Sequence, residues 1–381
     1  MARRITPRAS VAAMFLTLGF ALGLWSGAAA SIVSRVGVSA FAYGLALTLF
    51  TGAYLAAMSW AGAIAQRFSL KRTLIAAALT AGPALAVLLR ADQVVGYFIL
   101  QGVFGFVAGL TDLTMNAAGA RIERSLGRPI LAGLHGAAST GIALGAALGG
   151  LLAASAEPWI ASVAAIVALW TGAAAIGFAL PADRGDPIGA VALDRPARLS
   201  RTLVAIGLVI GVSIACESAA MFWSGLVLRQ EAPQWAQWAG LGTSFFAGCQ
   251  ASVRFNVDRL RARIADWRLI EYSLIVATCG FFIVAGRFGF AASIAGFAII
   301  GFGTGAVVPC GFALAASRPG ISAAVGLSTA AFFGSFARLP APLVTGSVAD
   351  ALSLSGAFLL FALLLIGALA ITLRTVGSTA A

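Results

Sequence analysis

The chain has 381 residues, of which 60% are apolar and only 10% are charged, and its mean hydropathy is +0.98. An ordinary soluble domain has about 25% charged residues, so this composition excludes a soluble enzyme or a disordered chain and predicts a protein surrounded mostly by lipid. The net charge of +12 does not indicate nucleic-acid binding, because the basic residues fall in short clusters between long apolar runs.

The sequence also lacks the signatures of cofactor and metal chemistry. Lys71 is the only lysine, so there is no phosphate-binding loop of the Gly-Lys-Ser/Thr type and no ATP-driven transport by this chain alone. The four cysteines show no paired spacing, which argues against a zinc site or a disulfide framework. We expect no metal, no cofactor and no enzymatic activity.

Twelve apolar runs are each long enough to span a bilayer as a helix, which takes about 20 residues. Their approximate limits are 10–32, 38–65, 73–90, 94–120, 130–154, 158–180, 202–228, 233–256, 268–286, 289–316, 320–345 and 351–373. The runs are too continuous for barrel strands, which alternate over about ten residues. The predicted fold is therefore an all-α integral membrane protein with twelve transmembrane helices.

The distribution of basic residues predicts the orientation. With the N-terminus in the cytoplasm, 20 of the 25 Lys and Arg residues fall in cytoplasmic segments, and Arg254 is counted in the cluster that follows span eight. The remaining five are Arg35, Arg90, Arg229, Arg287 and Arg338. This asymmetry predicts that both termini lie in the cytoplasm.

The longest polar connection, 181–200, is predicted to be a cytoplasmic linker between two six-helix bundles, 1–180 and 201–381. The two halves repeat short patterns. Arg128-Pro129 before span five matches Arg318-Pro319 before span eleven, and Trp25-Ser26-Gly27 matches Trp223-Ser224-Gly225. Such parallel repeats are typical of transporters that alternate access around a site near the middle of the membrane.

The loop after span two runs from Gly62 to Arg72 and resembles the signature loop of the major facilitator superfamily, although Gln66 and Ser69 replace its usual acid and glycine. The resemblance implies the alternating-access fold and a gating role for a set of loop residues, namely Gln66, Arg67, Lys71 and Arg72. The stretch 141–150 (GIALGAALGG) is similar to a glycine motif often associated with antiporters. We interpret it as helix packing, because small residues alone explain it.

A narrower resemblance extends over nearly the whole chain. The stretch 112–129, leading into Leu134-His135-Gly136, is similar to a bacterial subgroup related to fucose permease that includes a rhizopine-associated membrane protein. Span seven resembles the acidic-tryptophan segment of that subgroup, with Phe222 where an aspartate is common. The resemblance implies a bacterial inner-membrane protein that transports a small polar solute of the sugar or polyol type.

Two of the 13 acidic residues, Asp112 and Glu217, lie well inside predicted spans, and ionisable groups in hydrocarbon indicate function by default. We predict that Glu217 binds the proton or the substrate. Asp112 shares one face of span four with Gln101 and Asn116, so it either binds a proton or stabilises the fold by pairing with a residue such as Arg121.

Several other residues each have two possible roles. His135 is either a proton relay or a structural hydrogen-bond donor, and Arg338 either extends outward or faces the cavity and pairs with Glu217 or an anionic group of the substrate. Trp223, like Trp25, either stacks on a sugar face or packs against lipid. The candidate substrate-binding residues are Trp25, Gln101, Asn116, Trp223, Ser224, Phe332 and Arg338, and the candidate proton-coupling residues are Glu217, Asp112 and His135.

The sequence thus predicts a monomeric, proton-coupled secondary transporter whose partners are protons, a small solute and the lipid bilayer. The alternatives are a proton-driven efflux antiporter for amphipathic compounds and a transporter-like sensor that no longer transports.

Overall fold

The computed structural model describes residues 5–155, 157, 159–181 and 200–377. Its helices are α1 (Pro7–Val36), α2 (Ala40–Phe68), α3 (Leu70–Leu88), α4 (Val94–Leu126), α5 (Leu131–Ala153), α6 (Trp159–Ala179), α7 (Arg201–Glu231), α8 (Leu241–Arg261), α9 (Asp266–Ala285), α10 (Phe290–Thr304), α11 (Val307–Ala316), α12 (Ala323–Arg338), α13 (Ala341–Ala351) and α14 (Leu354–Gly377). Helices α10 and α11 form one span, as do α12 and α13. The described part of the chain therefore contains the twelve predicted spans.

Ten of these spans are long and apolar enough to be recognised as membrane helices by composition. The other two are α8, which carries Gln250 and Arg254 in its middle, and the α12–α13 span, which is interrupted before Ala341. The predicted start of span eight at 233 is wrong: the segment Pro233–Trp238 is a short 3₁₀ helix, and α8 begins at Leu241. Proline lacks a backbone N–H, so Pro233 starts a new turn instead of continuing α7.

Most of the predicted linker, 182–199, lies outside the described residues, as do Arg3 and Arg4 of the first basic cluster. The division into bundles 1–180 and 201–381 therefore stays a prediction. We use "N-terminal helices" for α1–α6 and "C-terminal helices" for α7–α14. The end of the molecule at which α1 begins and α14 finishes is called the termini end, and the other the opposite end.

Glycines allow α1 and α5 to pack backbone against backbone. A Cβ atom on Gly141, Gly145 or Gly149 of α5 would lie 2.1–2.3 Å from a carbonyl oxygen of α1. The reverse is also true, since a Cβ on Gly23 of α1 would lie 2.3 Å from the Ile142 carbonyl oxygen. The interpretation of the glycine motif as a packing surface is therefore confirmed, because any side chain here would push the two helices apart.

Replacing Gly145 with Ala should separate α1 from α5. The new methyl group would lie 2.1 Å from the Phe20 carbonyl oxygen, so we expect the free energy of unfolding to fall by about 1–3 kcal/mol. Gly133→Ala on the same helix is the control, because its Cβ would meet open space. Thermal unfolding in detergent measures both, and equal stability of the two variants would contradict the close approach.

The connection between α2 and α3 is a single residue, Ser69, with φ +73° and ψ 148°. This backbone conformation is favoured by glycine and costs other residues about 1–3 kcal/mol. Ser69 partly offsets that cost by capping α3, since its hydroxyl accepts a hydrogen bond from the Arg72 N–H at 3.4 Å. Ser69 occupies the position where the signature loop usually has glycine, and its backbone has the positive φ that glycine favours.

Replacing Ser69 with Gly should stabilise the protein. We expect a gain of about 1 kcal/mol, because the relief of the positive φ exceeds the loss of a long capping hydrogen bond. Ser69→Ala keeps the strained Cβ and removes the cap, so it should lower the unfolding temperature. A destabilised Ser69→Gly variant would show that the hydroxyl matters more than the backbone conformation.

At the opposite end, the N-terminal and C-terminal helices are in direct contact. Asp350 of α13 accepts hydrogen bonds from the backbone N–H groups of Ala40 at 3.1 Å and Phe41 at 2.9 Å, at the start of α2. Farther along, a Cβ on Gly44 would lie 2.4 Å from the Pro342 carbonyl oxygen. Together with the packing of α5 on α8, these contacts close the opposite end.

Candidate functional site

Glu217 of α7 forms an ion pair with Arg254 of α8. The Oε2 atom of Glu217 accepts a hydrogen bond from Nη2 of Arg254 at 3.0 Å, and the two side chains are only 18% and 15% exposed. Nη1 of Arg254 donates to the hydroxyl of Ser139 on α5 at 2.8 Å, and Ser139 in turn donates to Oε1 of Gln250 at 3.0 Å. The pair is therefore tied to the N-terminal helices through Ser139.

Asp112 of α4 lies in a second polar cluster, together with Tyr54 of α2 and Arg338 of α12. The guanidinium of Arg338 stacks on the Tyr54 ring, 4.8 Å from its centroid, and Asp112 is within electrostatic reach of both side chains. Asn116 donates from Nδ2 to Oδ1 of Asp112 at 3.2 Å. Asp112 and Arg338 thus face each other across the boundary between the N-terminal and C-terminal helices.

The four charged residues Asp112, Glu217, Arg254 and Arg338 lie at a similar depth, and we call them the charged layer. Glu217 and Arg254 lie about 14 residues from the opposite end of their helices, or roughly 20 Å at 1.5 Å per residue. Glu217 is also within electrostatic reach of Arg338, which links the two clusters. Two acids and two arginines give the layer no net formal charge.

An aromatic layer lies between the charged layer and the opposite end. Trp25, Phe50, Phe104 and Phe222 come from four different helices, about ten residues or roughly 15 Å from that end. The ring centroid of Trp25 is 4.7 Å from those of Phe50 and Phe222 and 5.5 Å from that of Phe104. These packed rings separate the charged layer from the opposite end.

His135, the third predicted proton-coupling residue, lies near the pair of Glu217 and Arg254. His135 packs edge-on against Phe15, with 5.2 Å between ring centroids, and is within electrostatic reach of Arg254.

Gln101, one of the predicted substrate-binding residues, is fully buried near Tyr97, and neither of its amide atoms makes a hydrogen bond of standard geometry to the described residues. Asn116 is bound to Asp112 and belongs to the second cluster.

Three other predicted substrate-binding residues lie away from the charged layer. Trp223 is 1% exposed and packs on Tyr43, with 4.8 Å between ring centroids. Ser224 is fully buried and shares a 2.9 Å hydrogen bond with the Thr243 hydroxyl. Phe332 is 44% exposed and packs on Phe333 and Phe336 of its own helix. The structure brings Trp25 and Arg338 to the site, but not these three.

The predicted gating loop makes its described contacts within the N-terminal helices. Nζ of Lys71 donates to the carbonyl oxygens of Gly177 at 2.8 Å and Leu180 at 2.6 Å, at the end of α6. The Arg67 guanidinium stacks on the neighbouring Phe68 ring, while Gln66 and Arg72 are exposed. Lys71 therefore stabilises the end of a helix, where a cation is favoured.

Arg254 and Tyr54 are two of the site residues that sequence reasoning missed. Arg254 was assigned to a cytoplasmic basic cluster, but it lies inside α8 and pairs with Glu217, so that assignment is wrong. The available signal was its position: Arg254 falls within the predicted limits of span eight, where an arginine needs a partner. The expectation that Asp112 pairs with Arg121 is replaced by its cluster with Tyr54 and Arg338.

Two cavities lie at the termini end, away from the charged layer. One, of about 430 Å³, lies between α7, α9, α11 and α14 and is lined by Thr202, Trp267 and Arg318. The other, of about 480 Å³, occupies the corresponding place between α1, α3, α4 and the end of α6, and it is lined by more basic residues, including Arg8 and Arg128. Neither cavity contains a residue of the charged layer.

The ion pair between Glu217 and Arg254 should be important for stability. Replacing Glu217 with Gln leaves a buried guanidinium without its counter-charge, so we expect a loss of about 3 kcal/mol in the free energy of unfolding. Arg254→Gln should cost a similar amount, while the double variant should cost clearly less than the sum of the two. Thermal unfolding of the wild type, the two single variants and the double variant in detergent gives a double-mutant cycle. Strict additivity of the losses in unfolding free energy would show that the two side chains do not interact.

The twelve helical spans among the described residues, with buried charges between the N-terminal and C-terminal helices, are typical of a multi-pass membrane transporter. The sequence matches the family model of the Major Facilitator Superfamily over residues 9–342, and the chain belongs to this superfamily. The family confirms the predicted fold, and it confirms that the chain is a transporter and not an enzyme.

Sequence relatives are bacterial. The chain is 26% identical over 313 residues to an uncharacterized transporter, y4wD, of Sinorhizobium fredii, covering 81% of this chain and 82% of that protein. It is 27% identical over 284 residues to the membrane protein MosC of Rhizobium meliloti, covering 74% and 69%. These similarities confirm the subgroup resemblance seen in the sequence.

Solved structures share the fold at low sequence identity. A point mutant of the nucleoside transporter NupG superposes with a TM-score of 0.73 at 12% identity and covers 97% of this chain and 100% of its own. A point mutant of the fucose:proton symporter FucP of E. coli gives a TM-score of 0.59 at 18% identity and covers 97% and 98%. At these identities the likeness establishes the fold alone.

Proposed function

We propose that the protein is a proton-coupled secondary transporter that moves a small polar solute of the sugar or polyol type by alternating access. In this proposal it is a monomer in the bacterial inner membrane, with both termini in the cytoplasm. The observation that carries the proposal is the charged layer, because its charges attract one another across the boundary between the N-terminal and C-terminal helices. The name of FucP, a fucose:proton symporter, agrees with both the solute class and the coupling ion.

The charged layer supplies a way for a proton to influence the conformation. Asp112 lies on α4 and Arg338 on α12, so their attraction holds the two halves together at mid-depth. Protonation of Asp112 removes that attraction and changes the relative free energies of the inward-open and outward-open states. Glu217 is already paired with Arg254 at 3.0 Å, so it positions that arginine while Asp112 takes up the coupled proton.

Two features block access to the charged layer from the opposite end. The aromatic layer and the contacts of Asp350 with α2 close the opposite end, which is periplasmic in the proposed orientation. These contacts support the proposal of a state in which the periplasmic path is closed. Because the aromatic layer consists of side chains from α1, α2, α4 and α7, rocking of the halves separates the rings and opens that path.

The alternative, proton-driven efflux of amphipathic compounds, is favoured by one observation. Trp25, Phe50 and Phe222 provide an apolar surface next to the charged layer, and such a surface suits a hydrophobic cation. The two functions differ in direction and in solute class. A sensor that does not transport would show neither solute uptake nor efflux.

Asp112→Asn tests the proposed coupling. A panel of sugars, polyols and hydroxy acids is screened for solute-driven proton uptake into liposomes that contain the wild-type protein. We expect the variant to lose accumulation driven by the proton gradient, because it has no group to protonate, and to keep exchange of the solute across the membrane. Asp92→Asn is the control, because Asp92 is exposed in the turn between α3 and α4.

The flux measurements distinguish the proposed transporter from the antiporter and from the sensor. Wild-type coupling in Asp112→Asn would remove Asp112 from the mechanism. Proton-driven efflux of hydrophobic cations without uptake of any solute in the panel would replace the proposed function with the antiporter, and the absence of all proton-coupled flux would favour the sensor.

A further inference from the structure

Arg338 is the one arginine of the charged layer that has no ion pair within 4.0 Å among the described residues. It lies at the end of α12, about 13 residues or roughly 20 Å from the opposite end of its span, and its side chain is partly exposed. Arg254, the other arginine, is held by Glu217 and Ser139. An arginine at this depth is costly unless an anion or a dipole compensates its charge.

The groups that face Arg338 come from three helices. They are Tyr54 of α2, which stacks on the guanidinium, Asp112 of α4 and Glu217 of α7. A guanidinium has five N–H donors in its plane, and a ring against its face does not use them. Within the described part of the chain, the hydrogen-bond partner found for Arg338 is the Tyr54 hydroxyl. One acceptor leaves most of the five N–H donors available to a ligand.

The formal charge of the charged layer then predicts the charge of that ligand. Glu217 and Arg254 neutralise each other, which leaves Asp112 as the counter-charge of Arg338. When Asp112 holds the coupled proton, Arg338 has no counter-charge and the layer gains one net positive charge. A neutral sugar would leave that charge uncompensated, whereas a carboxylate would neutralise it and form two parallel hydrogen bonds with the guanidinium.

We propose that the transported solute is a hydroxylated carboxylic acid, such as a sugar acid, and that Arg338 binds its carboxylate. This inference rests on the proposed function, since it assigns the solute class of the same site. Proton and anion bind together: protonated Asp112 releases Arg338 to the carboxylate, and the loaded layer is neutral again. The stacking of Tyr54 keeps the guanidinium plane in a fixed direction while the counter-charge is exchanged.

The test compares acids with their neutral counterparts. The purified protein in detergent is titrated with gluconate against sorbitol, and with glucuronate against glucose, at neutral and mildly acidic pH, and binding is followed by thermal shift and calorimetry. We expect both acids to bind, more tightly at the acidic pH, and the neutral compounds not to bind. This comparison uses the wild-type protein and does not depend on the folding of a variant.

Variants then identify the binding residue. Arg338→Gln should weaken binding of the acids by about 10- to 100-fold, the range for loss of a charge-assisted hydrogen-bonded pair. Asp112→Asn should bind the acids with no dependence on pH, because its side chain is neutral throughout. Arg287→Gln is the control, since Arg287 is exposed at the opposite end.

Each result has a defined meaning. Binding of sorbitol or glucose as tight as that of the acids, unchanged in Arg338→Gln, would overturn the carboxylate site. So would the failure of both acids to bind at millimolar concentration. In either case, proton-driven uptake of a neutral solute into liposomes would leave the proposed function standing, whereas the absence of any proton-driven flux would overturn both.

Discussion

Charges inside a membrane need partners, and in this protein the partners lie on different helices. Arg254 of α8 is shared between Glu217 of α7 and Ser139 of α5, and Arg338 of α12 lies between Tyr54 of α2 and Asp112 of α4. Because an unpartnered charge in a low dielectric is so costly, these contacts determine how the N-terminal and C-terminal helices meet at mid-depth. In the proposed function, the same contacts change when a proton or a charged solute binds.

Close packing of backbones supports this arrangement. Glycines bring α1 against α5, and the corresponding helices of the second half behave alike, since a Cβ on Gly211 of α7 would lie 2.6 Å from the Gly334 carbonyl oxygen of α12. Where backbones touch, there is little room for side chains to rearrange. We therefore expect each pair of helices to move as a unit, so that a change in the charged layer is transmitted to whole helices.

The aromatic layer gives the charged layer a low-dielectric boundary on one side. Phe222 stands where the related subgroup commonly has an aspartate, and here its ring packs against Trp25 at 4.7 Å. An aromatic ring at this position excludes water, whereas a carboxylate would admit it. Excluding water strengthens every electrostatic interaction among Asp112, Arg338 and Glu217.

The number of spans and most of their limits follow from the apolar runs alone, because a run of about 20 apolar residues has few alternatives to a membrane helix. The sequence also identified Asp112, Glu217 and Arg338, since a charge inside an apolar run is conspicuous. The glycines of α5 were recognised for the same reason: small residues at a helical spacing indicate a close neighbour.

Which side chains contact one another depends on the packing of the helices and could not be predicted from the amino-acid sequence. Arg254 was counted with a basic loop because it precedes four further basic residues, and only the extent of α8 places it inside the membrane beside Glu217. Tyr54 carries no charge that would mark it in a sequence, although it holds Arg338 in position. Periodicity gives the face of a helix but not the helix that packs against it, so the partners of each charge depend on how the helices pack in three dimensions.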